Sequence, residues 1–196
     1  MRQIIAITQI SLDGVMQAPG GPEEDPRYHF THGGWAMPFV DSAVNEIVNA
    51  IMASEFDLLL GRVTYDIFAG YWPKQDNEIA RAFNKATKYV ITRRHDRLDW
   101  SRTERVGGDV VESLRELKAT DGPPLHVWGS GELLQTMIAA DLVDEFRLWV
   151  IPVVLGQGRH LFEKGLPARK LKLVATQQTP SGVVASTYRL NGSFDA

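Results

Sequence analysis

Three stretches of this chain carry residue types whose spacing suits a phosphorylated ligand. In the first, residues 58 to 65, Leu58-Leu59-Leu60 runs into Gly61 and then Arg62-Val63-Thr64-Tyr65. The second, residues 126 to 134, repeats the plan: His126-Val127-Trp128 meets Gly129-Ser130-Gly131, followed by Glu132-Leu133-Leu134. Each predicts a helix N-terminus at the carboxyl edge of a strand. Unpaired N–H groups and the positive end of the helix dipole attract an anion there. Gly61, Gly129 and Gly131 permit close backbone approach, because no Cβ intervenes. Arg62 and Thr64 add a guanidinium and a hydroxyl suited to phosphate oxygens. Two such ends in one domain suggest the diphosphate of a dinucleotide. Strand–glycine–helix is also how many α/β units turn a corner, and the second stretch lacks the third glycine of the dinucleotide fingerprint. In the third stretch, residues 90 to 97, Thr92, Arg93 and Arg94 leave a predicted strand together. Paired arginines at a strand end fit a phosphate monoester, such as the 2′-phosphate that distinguishes NADPH. A solvated charged loop is the alternative, since Asp96, Asp99 and Glu104 interleave with Arg97, Arg102 and Arg105.

Composition narrows the classes. The 196 residues read as a single domain, 1–196, with no linker, repeat or low-complexity run. Lys plus Arg is 21 against 24 Asp plus Glu, a net charge of −3, which argues against a nucleic-acid binder. There is no cysteine, so disulfides, thiolate catalysis and Cys-based zinc or iron–sulfur sites are excluded. His29 and His32 are the only neighbouring histidines, and they read as loop residues facing solvent or substrate, not as metal ligands. No apolar run approaches the ~20 residues of a membrane helix. The first apolar segment is broken by Thr8 and Gln9 and reads as a strand, which makes the expected location cytoplasmic.

The elements that must position the three stretches follow from periodicity. Arg2 to Ser11 predicts a buried strand ended by Asp13-Gly14. Gln17 to Gly34 has no periodicity and many Pro and Gly, so it reads as a lid or binding loop, or as a tolerated insertion. Val44, Ile47, Val48 and Ile51 predict an amphipathic helix with Asp41 or Ser42 as N-cap. Helices are expected around Val63–Phe68, Ile79–Ala86, Val110–Leu117 and Leu133–Ile138, and strands at Phe56–Leu60, Lys88–Thr92 and Leu125–Trp128. Asp109 and Glu112 look like a capping pair. Repeated strand–helix alternation predicts an α/β layer structure with a mostly parallel sheet. Glu145 to Val154 predicts a long apolar strand, and Leu171–Gln178 and Val183–Leu190 flank a turn, an antiparallel hairpin on the sheet edge.

With these segments in order, the chain resembles the dihydrofolate reductase-like superfamily. More narrowly, it is similar to stand-alone relatives of the C-terminal reductase domain of the riboflavin-biosynthesis deaminase–reductase. The match runs through Ser11-Leu12-Asp13-Gly14, residues 58–65 and 88–93, the closing hairpin and, most specifically, residues 126–162. The resemblance implies a mixed, mostly parallel sheet flanked by helices, and NADPH-dependent reduction of a small heterocycle of pterin or ribosylaminopyrimidine type. Carried over by position, Gly61, Arg62, Val63 and Thr64 would hold cofactor phosphates. Thr92 and Arg93, with Arg94, would hold the 2′-phosphate. Gly129, Ser130, Gly131, Glu132 and Leu133 would meet the diphosphate and nicotinamide half. The deaminase half of the full-length enzyme has no counterpart, since the Cys ligands of its zinc are missing.

A reduction by hydride transfer also needs a proton donor. Asp41, Asp13 or a bound water are the candidates, with Asp41 suited also to a helix cap. Trp35, Tyr65 and Trp72 can wall a flat ring or simply fill the core, with Trp35 and Trp72 the assigned substrate residues. Two other uses of the fold stay open: a nucleotide- or pterin-binding module without turnover, and a flavin- or deazaflavin-using reductase. Relatives of this type often pair through their C-terminal sheets, so the segment from Trp149 to Leu155, strongly apolar for an edge region, suggests a homodimer; a strand buried inside the monomer is the alternative.

Overall fold

The computed structural model describes residues 1–194. In chain order the regular elements are β1 (Ile4–Ser11), α1 (Ser42–Met52), β2 (Asp57–Gly61), α2 (Arg62–Tyr71), α3 (Glu78–Lys85), β3 (Lys88–Ile91), β4 (Thr103–Val106), α4 (Val110–Ala119), β5 (Leu125–Trp128), α5 (Gly131–Ala139), β6 (Glu145–Ile151), β7 (Arg169–Gln178) and β8 (Val184–Ser193). The eight strands form one sheet in the order β4-β3-β2-β5-β1-β6-β8-β7. The first six in the chain run parallel, and β8 pairs antiparallel with both β6 and β7. This is the expected mixed sheet with an antiparallel C-terminal hairpin, the dihydrofolate reductase-like arrangement.

Helices cover both faces of the parallel part, which is why its strands are apolar without alternation. On one face Ile5, Ile7, Leu58, Leu60 and Val90 pack against α1, α2 and α3 through Val44, Ile51, Tyr65 and Phe83. On the other, Ile4, Ala6, Leu59, Leu125 and Val127 pack against α4 and α5 through Leu114, Leu117, Leu134 and Met137. Two readings change. Strand β4 was not anticipated, because Thr103-Glu104-Arg105-Val106 is a short, largely exposed edge strand without an apolar face. Strand β6 is not an edge: it lies between β1 and β8, so the apolar character of Glu145–Ile151 is that of an interior strand. The other edge of the sheet is β7, where Leu171, Leu173 and Val174 are exposed.

Candidate active site

Strands β3, β2 and β5 are consecutive neighbours in the sheet. Because all three are parallel, their carboxyl ends lie side by side. This brings Thr92-Arg93-Arg94, Gly61-Arg62 and Gly129-Ser130-Gly131 to one edge, where open α/β sheets bind ligands. They line a groove of about 410 Å³ that takes in Gly61, Arg62, Val63, Thr64, Thr92, Arg93, Arg94, Ser130, Gly131, Glu132 and Leu133. Gly129 lies just inside, in a smaller chamber of about 110 Å³ that shares Val63, Thr64, Ser130 and Gly131 with the groove.

Two helix ends at this edge, those of α2 and α5, differ from the others. Helices α1, α3 and α4 are capped by side chains: Asp41, Asn77 and Asp109 accept from the N–H groups of Val44, Ala80 and Glu112. The N-caps of α2 and α5, Gly61 and Ser130, make no side-chain cap bond. Both leave first-turn donors open, and both open onto the groove. Ser130 is also strained: it sits in the left-handed region at φ 65°, directly after Gly129 at φ 73°. A non-glycine residue there costs roughly 1–2 kcal/mol. Its hydroxyl is turned away from its own helix and accepts from Gly61 N–H at 2.9 Å.

The basic residues divide. Arg62 is engaged by Asp66 at 2.8 Å and Asp96 at 2.6 Å, with only 15% of its side chain exposed. Arg94 lies 3.9 Å from Asp66. Arg93 is exposed in the groove and forms no ion pair among the described residues. Arg62 is thus a strut between α2 and the loop after β3, and Arg93 is the guanidinium free to meet an anion.

The two proposed proton donors take structural work instead. Asp41 caps α1 by accepting from Val44 N–H at 2.8 Å, and it also accepts from Ser181 N–H at 2.9 Å. These hydrogen bonds hold its carboxyl below the usual range. Asp13 accepts from the Ser11 hydroxyl at 2.6 Å and from Gly156 N–H at 2.7 Å, which pushes its pKa down to about 2. Neither borders the groove or the chamber. Trp35 is core: it is buried and donates its indole N–H to Gln17 O at 2.7 Å; Trp72 is half-buried, packs edge-on against Phe83 and does not line the groove or the chamber. Tyr65 is also buried, and its hydroxyl accepts from Trp100 N–H at 3.0 Å.

Beside Val63, Thr64, Gly129, Ser130 and Gly131, the chamber takes in side chains that had no assigned role in the sequence. Thr8 and Gln9 come from the end of β1, Ile67 and Phe68 from α2, and Trp128 from β5. The loop 17–34 supplies Gln17, Glu24, Asp25 and Arg27, and Arg159 enters from the loop after β6. Glu24 accepts from Gly20 N–H at 2.6 Å and Gly21 N–H at 3.1 Å. Burial nevertheless raises its pKa. The loop was marked as a whole by its aperiodic, Gly/Pro-rich sequence; nothing local singles out which of its residues line the chamber. His29 and His32 are exposed in that loop. Among the described residues no three His, Cys, Asp or Glu side chains cluster as metal ligands.

Residues 2–185 match the family described as the RibD C-terminal domain. The chain belongs to that family. The Bacillus subtilis uncharacterized protein YyaP is 30% identical over 97% of this chain and 96% of its own length. Among solved structures, a Thermotoga maritima diaminohydroxyphosphoribosylaminopyrimidine deaminase/5-amino-6-(5-phosphoribosylamino)uracil reductase superposes with a TM-score of 0.61 at 14% identity. That match covers 97% of this chain and 57% of the larger protein. Dihydrofolate reductase from Enterococcus faecalis, complexed with NADP(H) and RAB-propyl, gives 0.59 at 16% identity, covering 96% of both chains. At these identities the structures share the fold. The RibD-type family points to an oxidoreductase-like domain.

Proposed function

We propose that this chain is an NADPH-dependent reductase of a small heterocycle of pterin or ribosylaminopyrimidine type, acting in the cytoplasm. One observation carries the reading: the two helices without side-chain caps both open onto the groove that holds Arg93. The residues present fit a phosphorylated dinucleotide. Open N–H donors at Gly131 and Arg62 suit a diphosphate, and free Arg93 suits a 2′-phosphate. The Enterococcus faecalis neighbour is described with NADP(H), which supports the same choice. Bound reduced nicotinamide would supply a hydride. The chain's own part is to orient that ring, exclude water and deliver a proton. For the proton we assign Glu24, because it borders the chamber and its burial favours the protonated form. Titration with NADPH and NADH, followed by tryptophan fluorescence from Trp128 in the chamber wall, tests the reading. Absence of binding by either dinucleotide at physiological concentration refutes it.

The small chamber favours a second reading. At about 110 Å³ it is below the ~300 Å³ of common ligand pockets. Either the loop 17–34 moves to admit a substrate, or the protein binds a dinucleotide without turnover. Steady NADPH oxidation with any member of a pteridine and pyrimidine panel eliminates the second. A flavin or deazaflavin in the same groove would show in the visible absorbance of the purified protein. We also read the chain as a homodimer, now through the exposed edge β7 and not through β6. Light scattering that returns the mass of one chain refutes this.

A further inference from the structure

We infer that Arg27 and Arg159 form a clamp for a phosphate-bearing ligand over the first turn of α5, and that Glu132 competes with that ligand for both guanidiniums. The inference extends the proposed function by adding two binding residues and by reversing the sign expected of Glu132.

The two arginines come from different loops, yet both border the groove and the chamber. They converge on one carboxylate oxygen: Glu132 Oε1 lies 2.9 Å from Arg159 Nη1 and 3.7 Å from Arg27 Nη1. Arg159 also lies over the helix end, since a Cβ placed on Gly131 would be 4.0 Å from its Cζ. One buried amide sets their spacing. Gln17, only 4% exposed, donates to Arg27 O at 2.9 Å and to Asp25 O at 3.1 Å, and accepts from Arg159 N–H at 3.1 Å. The Tyr28 ring sits 5.9 Å from the Arg27 guanidinium and 6.0 Å from that of Arg159. These bonds fix the two backbones, and Asp25 holds the Arg27 guanidinium through its Nε and Nη2 at 2.7 Å each, so a ligand meets side chains that are already largely ordered, which lowers the cost of binding.

Glu132 partly fills this site. It stands in the first turn of α5, where the helix dipole favours negative charge. Its side chain is 66% exposed, so it is free to swing into solvent. Arg159 keeps a further partner in Glu163, at 3.0 Å. A phosphate brings more charge and more acceptor oxygens than a carboxylate, and forked guanidiniums match it. The phosphate can come from the diphosphate of a dinucleotide in the groove or from a phosphorylated substrate reaching in through the chamber.

The experiment compares wild type with Glu132→Gln, Arg159→Ala, Arg159→Lys and Arg27→Ala. Calorimetric titrations at low salt use NADPH in one arm and ribose 5-phosphate in the other, and thermal melts confirm folding. The clamp predicts that Glu132→Gln tightens at least one ligand by roughly three- to tenfold, and that the alanine variants weaken the same ligand by about tenfold or more. Arg159→Lys, which keeps charge and loses the fork, falls between. If Arg159→Ala unfolds, Arg159→Lys and Glu132→Gln carry the test alone. The arm that responds names the source. If NADPH binds wild type and Glu132→Gln leaves both affinities unchanged or weaker, the clamp is overturned while the dinucleotide reading stands. If only ribose 5-phosphate binds and responds, the clamp stands and the dinucleotide reading falls. Failure of both ligands to bind any variant overturns both.

Discussion

The hydroxyl of Ser130 accepts a hydrogen bond from the backbone N–H of Gly61 at 2.9 Å. These residues stand 69 positions apart and are the N-caps of α5 and α2. The bond ties two helix ends to each other across neighbouring strands. It also diverts the Ser130 side chain from capping its own helix, which leaves the donors of α5 open to a ligand.

Ser130→Ala and Ser130→Gly separate stability from binding. Either change removes the acceptor for Gly61 N–H at a cost of roughly 1 kcal/mol. Glycine also relieves the left-handed strain at φ 65°, so it is expected to be the more stable variant. Both are expected to weaken NADPH binding several-fold. Urea melts and dinucleotide titrations check the two effects independently.

Arg93 and Arg62 are expected to respond differently. Arg93→Ala lowers NADPH affinity by about tenfold and leaves NADH affinity nearly unchanged, because the lost contact is to the 2′-phosphate. Arg62→Ala weakens both dinucleotides alike, since it removes the strut to Asp66 and Asp96. The ratio of the two dissociation constants distinguishes these roles. An unchanged ratio in Arg93→Ala removes the assignment.

His126 makes the fold acid-sensitive. It is 2% exposed, its Nδ1 has no partner, and it stacks on Phe56 with ring centroids 4.5 Å apart. Burial, aided by the charge of Arg147, pushes its pKa down to about 3. The unfolded chain takes up this proton near pH 6.5, well before the folded one. The stabilisation is therefore complete above pH 6.5 and is lost as pH falls toward 3, by up to about 1.4 kcal/mol per pH unit. Urea unfolding at pH 7 and pH 5 is expected to show a loss that His126→Leu largely removes. An equal loss in the variant refutes the account.

Asp41 is expected to behave as a cap. Asp41→Asn keeps an acceptor for Val44 N–H and retains most stability, whereas Asp41→Ala lowers the melting temperature by several degrees. Turnover, once a substrate is found, is expected to survive both and to fail in Glu24→Gln. Loss of turnover in Asp41→Asn, with the melt unchanged, would return Asp41 to the catalytic assignment.

Trp35 pins the loop that carries Arg27. Trp35→Phe leaves the buried carbonyl of Gln17 without its indole donor, at a cost of roughly 1–3 kcal/mol. Because Gln17 sets the positions of Arg27 and Arg159, the same variant is expected to speed amide exchange across residues 17–34 and 156–163. Exchange followed by mass spectrometry checks this.

The groove was legible because its signals are local. An apolar strand, a glycine and a helical turn within eight residues place backbone donors at a strand end wherever that strand lies in the sheet. The hairpin and the helix caps were local in the same sense. Asp41 and Trp35 were ambiguous because one residue type serves two ends: an Asp before an amphipathic helix suits a cap or an acid, and a Trp suits a core or a ligand wall. Strand β4 was hidden because its residues bear charge and the sheet edge exposes them. The position of β6 was hidden because an apolar run does not say whether a strand is central or at an edge.

The order of residue types by itself determined the α/β class, the mixed sheet and most of the groove, since these follow from periodicity, glycine placement and capping within short windows; the family showed only as a resemblance across the ordered set of motifs. Tertiary structure alone decided that β3, β2 and β5 are neighbours, that Arg62 is spent on two aspartates while Arg93 is free, and that Gln17 holds Arg27 and Arg159 over Glu132. Those are distance relations between loops far apart in the chain. No local pattern encodes them, because the sheet order and the packing of its connecting loops set the distances.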